Sequence, residues 1–282
     1  MLSVSMLSGY LYCPRKVYLQ YVLKISPSDK AAMVRGSIKH RLIEMATLNE
    51  KHIVEHIQDA DEKKIRESFR ARYIAFLKEA IHENTDRLIS VGIDAEKMLP
   101  DIEQECIRAA DSRARSVAAF ARESGLIGER LWQELIPKIR TEQWVECAEL
   151  NLCGIIDAIE DYKDHLIPIE LKTGKAPSDG AWPGHRVQAA AYILLLRDKT
   201  DREVKKAVIR YLDQGSEVQI IMNPFMEMEI QDLVRKVSTL LKTKEPPPAQ
   251  RSDARCKACG LRLECERLGK KDPDDAKEKK KR

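Results

Sequence analysis

Glu170 and Lys172 stand two residues apart inside an aliphatic run, LIPIELKTG, at residues 166–174. On a strand they project from one face. Leu166, Ile167, Ile169 and Leu171 surround them. Burying two charges is costly unless they serve each other, a metal or a substrate. An ion pair of purely structural value is one reading, and a reactive site is the other. Upstream, GIID at residues 154–157 closes another apolar segment with a lone carboxylate, Asp157. The intervening EDYKDH can turn the chain, so a hairpin would bring Asp157 and Glu170 together. Converging carboxylates repel unless a proton or a cation lies between them. A hard divalent cation such as magnesium or manganese is the natural resolution.

Other residues could complete such a site. In GSIKH, Gly36 and His40 share a helical face, the glycine allowing a close neighbour and the histidine pointing beside it. In QAAAY, Gln188 and Tyr192 share another. Arg35, Lys175 and Arg186 flank these motifs and could hold phosphates. The cysteines form a second constellation. CKACGLRLEC supplies Cys256, Cys259 and Cys265, and three thiolates need a fourth ligand. Cys106 falls on a helix stripe, and Cys147 and Cys153 fall in strand texture, where cysteine acts as a small apolar residue. Cys13, followed by proline as in iron–sulfur runs, is the choice.

Stepping from residues to elements, helices are expected over 8–24 and 30–58, then a long helical region to about 123 with stripes through Ile65, Phe69, Tyr73 and Phe76, and through Ile102, Cys106 and Val117. From about Leu131 the texture is strands with short turns. Helix returns over 184–198. A strand pair, KKAVIRYLD and SEVQIIM, turns at Gln214-Gly215, and a last long helix covers roughly 225–243 before three prolines. The composition, 43% apolar and 33% charged with net charge +4, is that of a globular protein that tolerates an anionic partner without demanding one. No leader peptide or membrane span is evident, so a cytoplasmic location is expected, and seven cysteines there point to metal or redox chemistry rather than disulfides. There is no phosphate-binding Gly-x-x-x-x-Gly-Lys-Ser/Thr loop.

The order Gly-x-x-x-His, Gly-Ile-Ile-Asp, Pro-Ile-Glu-Leu-Lys, Gln-x-x-x-Tyr resembles the RecB-like branch of the PD-(D/E)xK nucleases. The resemblance implies a metal held by His40, Asp157, Glu170 and the backbone carbonyl of Leu171. It places Lys172 beside the attacking water, and Gln188 and Tyr192 on substrate. Phosphodiester hydrolysis suits these residue types. A cation acidifies water and neutralises phosphate charge, and Lys172 can orient the water, stabilise the transition state or act as base. One cysteine before the motifs and three after them is similar to the CRISPR-associated RecB-like exonucleases, the fourth Cas family. That likeness implies a 4Fe-4S cluster on Cys13, Cys256, Cys259 and Cys265, with zinc as the rival.

The implied fold is α/β: a restriction-endonuclease-like mixed sheet flanked by helices, with a helical insertion and an iron–sulfur region closing the chain ends together. The implied divisions are N-terminal helices bearing the first cluster cysteine and motif histidine (1–49), the insertion (50–128), the nuclease core (129–245), the cysteine-rich region (246–269) and a charged, disordered tail (270–282). The implied activity is divalent-metal-dependent cleavage of DNA, mainly single-stranded or with single-stranded ends. It would act as an exonuclease running 5′ to 3′, with endonuclease activity left open, on spacer precursors in CRISPR adaptation alongside the spacer integrase. Two alternatives stand beside it: a DNA-end or flanking-sequence binding subunit of an integration complex, and a repair or recombination nuclease outside CRISPR. Homo-oligomer formation is left open.

Overall fold

The computed structural model describes residues 1–250 and 252–269. The tail expected over 270–282 lies outside them. A two-residue strand β1 (Leu2–Ser3) leads into α1 (Val4–Tyr12) and α2 (Pro14–Val17), the latter running into a π-helical turn, Tyr18–Val22. The helix expected over 8–24 is thus broken at Cys13, which is extended at φ −169° and precedes a proline that opens the next helix. Next come α3 (Ala31–Leu48), α4 (Glu50–Glu55), α5 (Glu62–Glu83), α6 (Thr85–Ser90), α7 (Ala95–Ser124) and α8 (Gly128–Glu134). Asp61 caps α5 through the Lys63 and Lys64 amides, and Gly125, left-handed at φ 68°, ends α7.

The sheet follows: β2 (Lys138–Cys147), β3 (Leu152–Asp161), β4 (Leu166–Lys172), then α9 (Pro183–Lys199), β5 (Lys206–Tyr211), β6 (Ser216–Ile221) and α10 (Pro224–Leu240). Two short helices, α11 (Asp253–Ala258) and α12 (Arg262–Gly269), end the described chain. The strand order is β1-β3-β4-β5-β6, with β2 also paired to β3. The β2–β3, β3–β4 and β5–β6 pairs are antiparallel, whereas β4–β5 is parallel because α9 carries the chain across. This is the mixed sheet expected from the sequence.

One core packs α9 and α10 against one face of the sheet, through Leu152, Ile156, Ile159 and Ile209 among others. On the other face a smaller cluster of Ala158, Ile167, Ile169, Leu171 and Val208 meets Ile43 of α3. A separate core joins α3 to α4, α5, α7 and α8, with Phe69, Leu77, Met98 and Ile102 essentially buried. The stretch 50–128 is therefore a helical body with its own interior, and α3 is the element common to it and the sheet.

Candidate metal and nucleic-acid site

Asp157 and Glu170 meet as the hairpin predicts. Ala158 pairs with Ile169 and Asp161 with Leu166, so the turn at 162–165 sets Asp157 beside the middle of β4. The Asp157 carboxylate accepts from the Leu171 amide at 2.8 Å and lies 3.5 Å from His40 Nδ1. On β4, Lys172 Nζ is 2.5 Å from Glu170 Oε1 and donates to Gln188 Oε1 at 3.0 Å. The structure thus gathers His40, Asp157, Glu170, Leu171, Lys172 and Gln188 into one place. Gly36 explains how α3 comes so close: a Cβ there would stand 2.9 Å from Thr173 Oγ1.

The electrostatics are those of a site made for charge. Glu170 is 2% exposed, and its Oε2 has no hydrogen-bond partner. Burial, opposed by the Lys172 ammonium and reinforced by Asp157, pushes its carboxyl up to about 7. For His40, burial pulls the imidazole down, but the Asp157 hydrogen bond and charge, with Glu170, outweigh it and hold it above its ordinary value. His185, one helical turn before Gln188, is pushed down to about 4 by burial and by the Lys172 charge.

The donor set fits a hard divalent cation: carboxylate oxygens, one imidazole and a buried Glu170 oxygen without a hydrogen-bond partner. Among the described residues no three His, Cys, Asp or Glu side chains already close on one point. Lys172 engages one oxygen of Glu170, and the Leu171 amide one oxygen of Asp157. The expectation for Leu171 concerned its carbonyl, and the contact seen here is through its N–H.

Tyr192 lies deeper than expected of a residue that holds substrate. It is 4% exposed, its hydroxyl donates to the Ile155 carbonyl at 2.6 Å, and its ring packs where a Cβ on Gly154 would sit 2.8 Å away. It braces β3. Gln188 is half-buried and reaches Lys172. Of the flanking cations, Arg35 pairs with Asp101 and Arg186 with Glu229, while Lys175 is exposed.

A cleft of about 700 Å³ opens over His40 and Asp157. Its walls bring residues that motif reading passed over: Arg41 and Glu44 on α3, Arg87 on α6 and Glu142 on β2. Arg41 is held by Glu83 and Glu44, and Arg87 by Asp29 in a two-pronged pair. Glu142 stands at the register position facing Asp157, between Thr141↔Ala158 and Gln143↔Ile156, with φ at +50°. Burial, with Asp157 and Glu44 adding, raises its carboxyl. Arg41 sits one residue past the GSIKH motif, so its face was readable; Arg87 and Glu142 had no local signal.

Lys39, beside His40 in sequence, is 7% exposed and makes a double link. It pairs with Glu105 of α7 and with Asp213 after β5, each at 2.6 Å. The other Asp213 oxygen accepts from the Gly174 amide at 2.8 Å, just beyond Lys172.

All seven cysteines are free, and they sort by burial. Cys106, Cys147 and Cys153 are buried in the cores; Cys13, Cys256, Cys259 and Cys265 are half-buried. The chain ends meet around the latter. Tyr12 donates to the Arg255 carbonyl at 2.6 Å and Arg255 to the Tyr12 carbonyl at 2.9 Å. Burial raises the Tyr12 hydroxyl, and Cys259, Cys256 and Cys13 add to it. Soft sulfur donors of this number suit iron–sulfur or zinc binding.

Known proteins resemble this chain in sequence. A CRISPR-associated exonuclease Cas4 of Thermoproteus tenax is 30% identical over 129 residues, 46% of this chain and 67% of that protein. A CRISPR-associated exonuclease Cas4/endonuclease Cas1 fusion of Myxococcus xanthus is 27% identical over 120 residues, 41% of this chain and 21% of the fusion. The DNA replication ATP-dependent helicase/nuclease JHS1 of Arabidopsis thaliana is 23% identical over 260 residues, 88% of this chain and 19% of that protein. The chain therefore spans a minor part of the last two. Among the described residues no helix is long and apolar enough to cross a membrane. The model for the PD-(D/E)XK nuclease superfamily matches residues 1–266, and the chain belongs to that superfamily.

Proposed function

We propose that the protein is a divalent-metal-dependent deoxyribonuclease of the Cas4 type. On this reading it trims single-stranded DNA, or duplexes with single-stranded ends, from the 5′ end to prepare spacer precursors for a CRISPR integrase. The observation that carries the reading is the β3–β4 hairpin, which sets Asp157 and Glu170 side by side with His40 and Lys172 on their flanks. The Cas4/Cas1 fusion supports the integrase partnership.

His40, Asp157 and Glu170, with the Leu171 backbone, would hold magnesium or manganese. When bound, the cation acidifies water and neutralises phosphate charge. Lys172 is steered by Glu170 and Gln188 toward the space where the scissile phosphate would lie, so its ammonium offsets the charge that builds there. Tyr192 fixes the strand that carries Asp157. Arg41 and Arg87 line the cleft with their guanidiniums engaged by Glu44, Glu83 and Asp29, so they would reach a DNA backbone only by exchanging those carboxylates for phosphate. Cys13, Cys256, Cys259 and Cys265 would hold a 4Fe-4S cluster that staples the chain ends, as bound metal does in small domains.

A repair or recombination nuclease outside CRISPR is the second reading, favoured by the match to the Arabidopsis helicase/nuclease across 88% of this chain. The test is incubation of anaerobically purified protein with DNA labelled at either end, single- or double-stranded, with and without manganese. Wild type should release the 5′ label first, only with metal. Lys172→Ala should cut at least about 10²-fold more slowly. Metal-dependent cutting by Lys172→Ala at the wild-type rate would sink the site. Tight binding of DNA ends with no cutting would support a recognition subunit instead.

A further inference from the structure

Two apolar side chains stand in water beside the site. Trp144 on β2 is 51% exposed and Ile155 on β3 is 46% exposed. They are register partners, so they share a face and lie against each other. Ile155 and Asp157 are alternate residues of β3, while Ile156 between them enters the α9 core. The ledge therefore projects from the α3 side of the sheet, about 7 Å along the strand from the Asp157 carboxylate. The indole Nε1 is held by Glu146 at 3.1 Å, and the Trp144 carbonyl accepts from Lys199 at 2.6 Å. The ring is anchored by its edge and by its backbone.

An exposed tryptophan by itself means little. Here its setting selects an occupant. Two side chains fall far short of the roughly 800 Å² per partner that a stable protein interface buries. The ledge is also bordered on its own strand by two carboxylates, Glu142 and Glu146. They repel a phosphate but not the neutral face of a base.

We infer that Trp144, backed by Ile155, is the platform on which the nucleobase next to the scissile phosphate stacks. This rests on the nuclease reading and adds a source of strand selection. A base stacked on the indole cannot also be paired and stacked in a duplex, so the ledge favours single-stranded DNA at that position. Trp144 on this account is a substrate-binding residue and performs no proton transfer.

The test is binding of a labelled single strand in calcium, with no magnesium or manganese, using oligonucleotides in which an abasic residue is moved along the chain. Wild type should lose about 5- to 100-fold in affinity when the missing base is the one that stacks. Trp144→Ala should show that loss with intact DNA and no further loss at the abasic position, while Trp144→Phe should keep most of the affinity. An abasic scan of wild type that is flat overturns the inference, and that arm needs no variant to fold. An abasic penalty that persists in Trp144→Ala overturns it too. Because binding is read without cutting, failure of the stack and failure of the nuclease reading are separate results: a flat scan with intact manganese-dependent cleavage removes only the platform.

Discussion

Glu170 concentrates the chemistry of the site in one side chain. Its raised carboxyl has a consequence for stability before any metal binds. The folded group keeps its proton up to about 7, whereas the unfolded one gives it up near 4.5. The folded state thus binds more protons across that window. Its contribution to stability is present below the unfolded value and is lost as pH rises through about 7. Glu170→Gln should therefore melt above wild type at pH 8 in metal-free buffer, by an amount on the order of 2 kcal/mol, with the gap closing toward pH 5. Thermal unfolding across pH checks this; a gap that stays constant with pH would contradict it. The sequence draws attention to this residue through its apolar surroundings, and the resemblance to the RecB-like motif order gives it a role. Its orphaned oxygen and its lysine partner's lean toward Gln188 belong to side-chain packing, which no local pattern specifies.

At the scale of elements, two features place the site. The first is a slip in the strand alternation. Ile156 and Ile159 both enter the α9 core, while Ala158 enters the opposite one. On β2, Val145 and Cys147 face α9, yet Ile139 packs on the other side. The slip falls at the Glu142–Asp157 position, where Glu142 takes a positive φ that non-glycine residues rarely adopt. Asp157 and Ala158 thereby both turn toward α3, and Asp157 reaches His40. The second feature is Lys39, which ties α7 and the Asp213 turn to the chain beyond Lys172. Lys39→Met should leave two half-buried carboxylates uncompensated and cost about 1–3 kcal/mol. Its specific signature should be faster amide exchange at Gly174, with exchange in β5 unchanged. Protection of Gly174 equal to wild type would show that Lys39 does not position this loop. Strand pairs and turns were readable because period-two apolar patterns and residues such as Gln214-Gly215 act locally. The slip and the Lys39 link join residues far apart in the chain, so they were not.

Across the whole molecule, two interiors share α3, and the N-terminal helices meet the segment at 244–260. Tyr18 donates to the Lys244 carbonyl, Arg15 to that of Pro247, Tyr12 to that of Arg255, and Ser28 to that of Gly260. These bonds bring the N-terminal helices to the cysteine-rich segment. If Cys13 is a ligand of the proposed 4Fe-4S cluster, Cys13→Ala should leave the sheet and its cores folded while abolishing the brown colour that the cluster would give anaerobically purified protein. It should also make residues 246–269 sensitive to protease. The backbone at Cys13 is extended, which alanine accepts, so the effect reports the thiol alone. Retained colour would mean that another residue supplies the fourth ligand.

The sequence by itself determined most of the elements and their order, because helix stripes and strand alternation are properties of near neighbours along the chain, whereas His40, Asp157, Glu170 and Lys172 were singled out together by the resemblance to the RecB-like motif order. It also separated four cysteines from three by their surroundings. Only the tertiary structure decided that Tyr192 braces β3 from within the core, that Arg41, Arg87 and Glu142 line the cleft, and that Trp144 and Ile155 form a ledge beside Asp157. Those outcomes depend on which faces meet once helices and strands are packed, and burial on that scale is a sum over the whole fold that no short stretch of residues encodes.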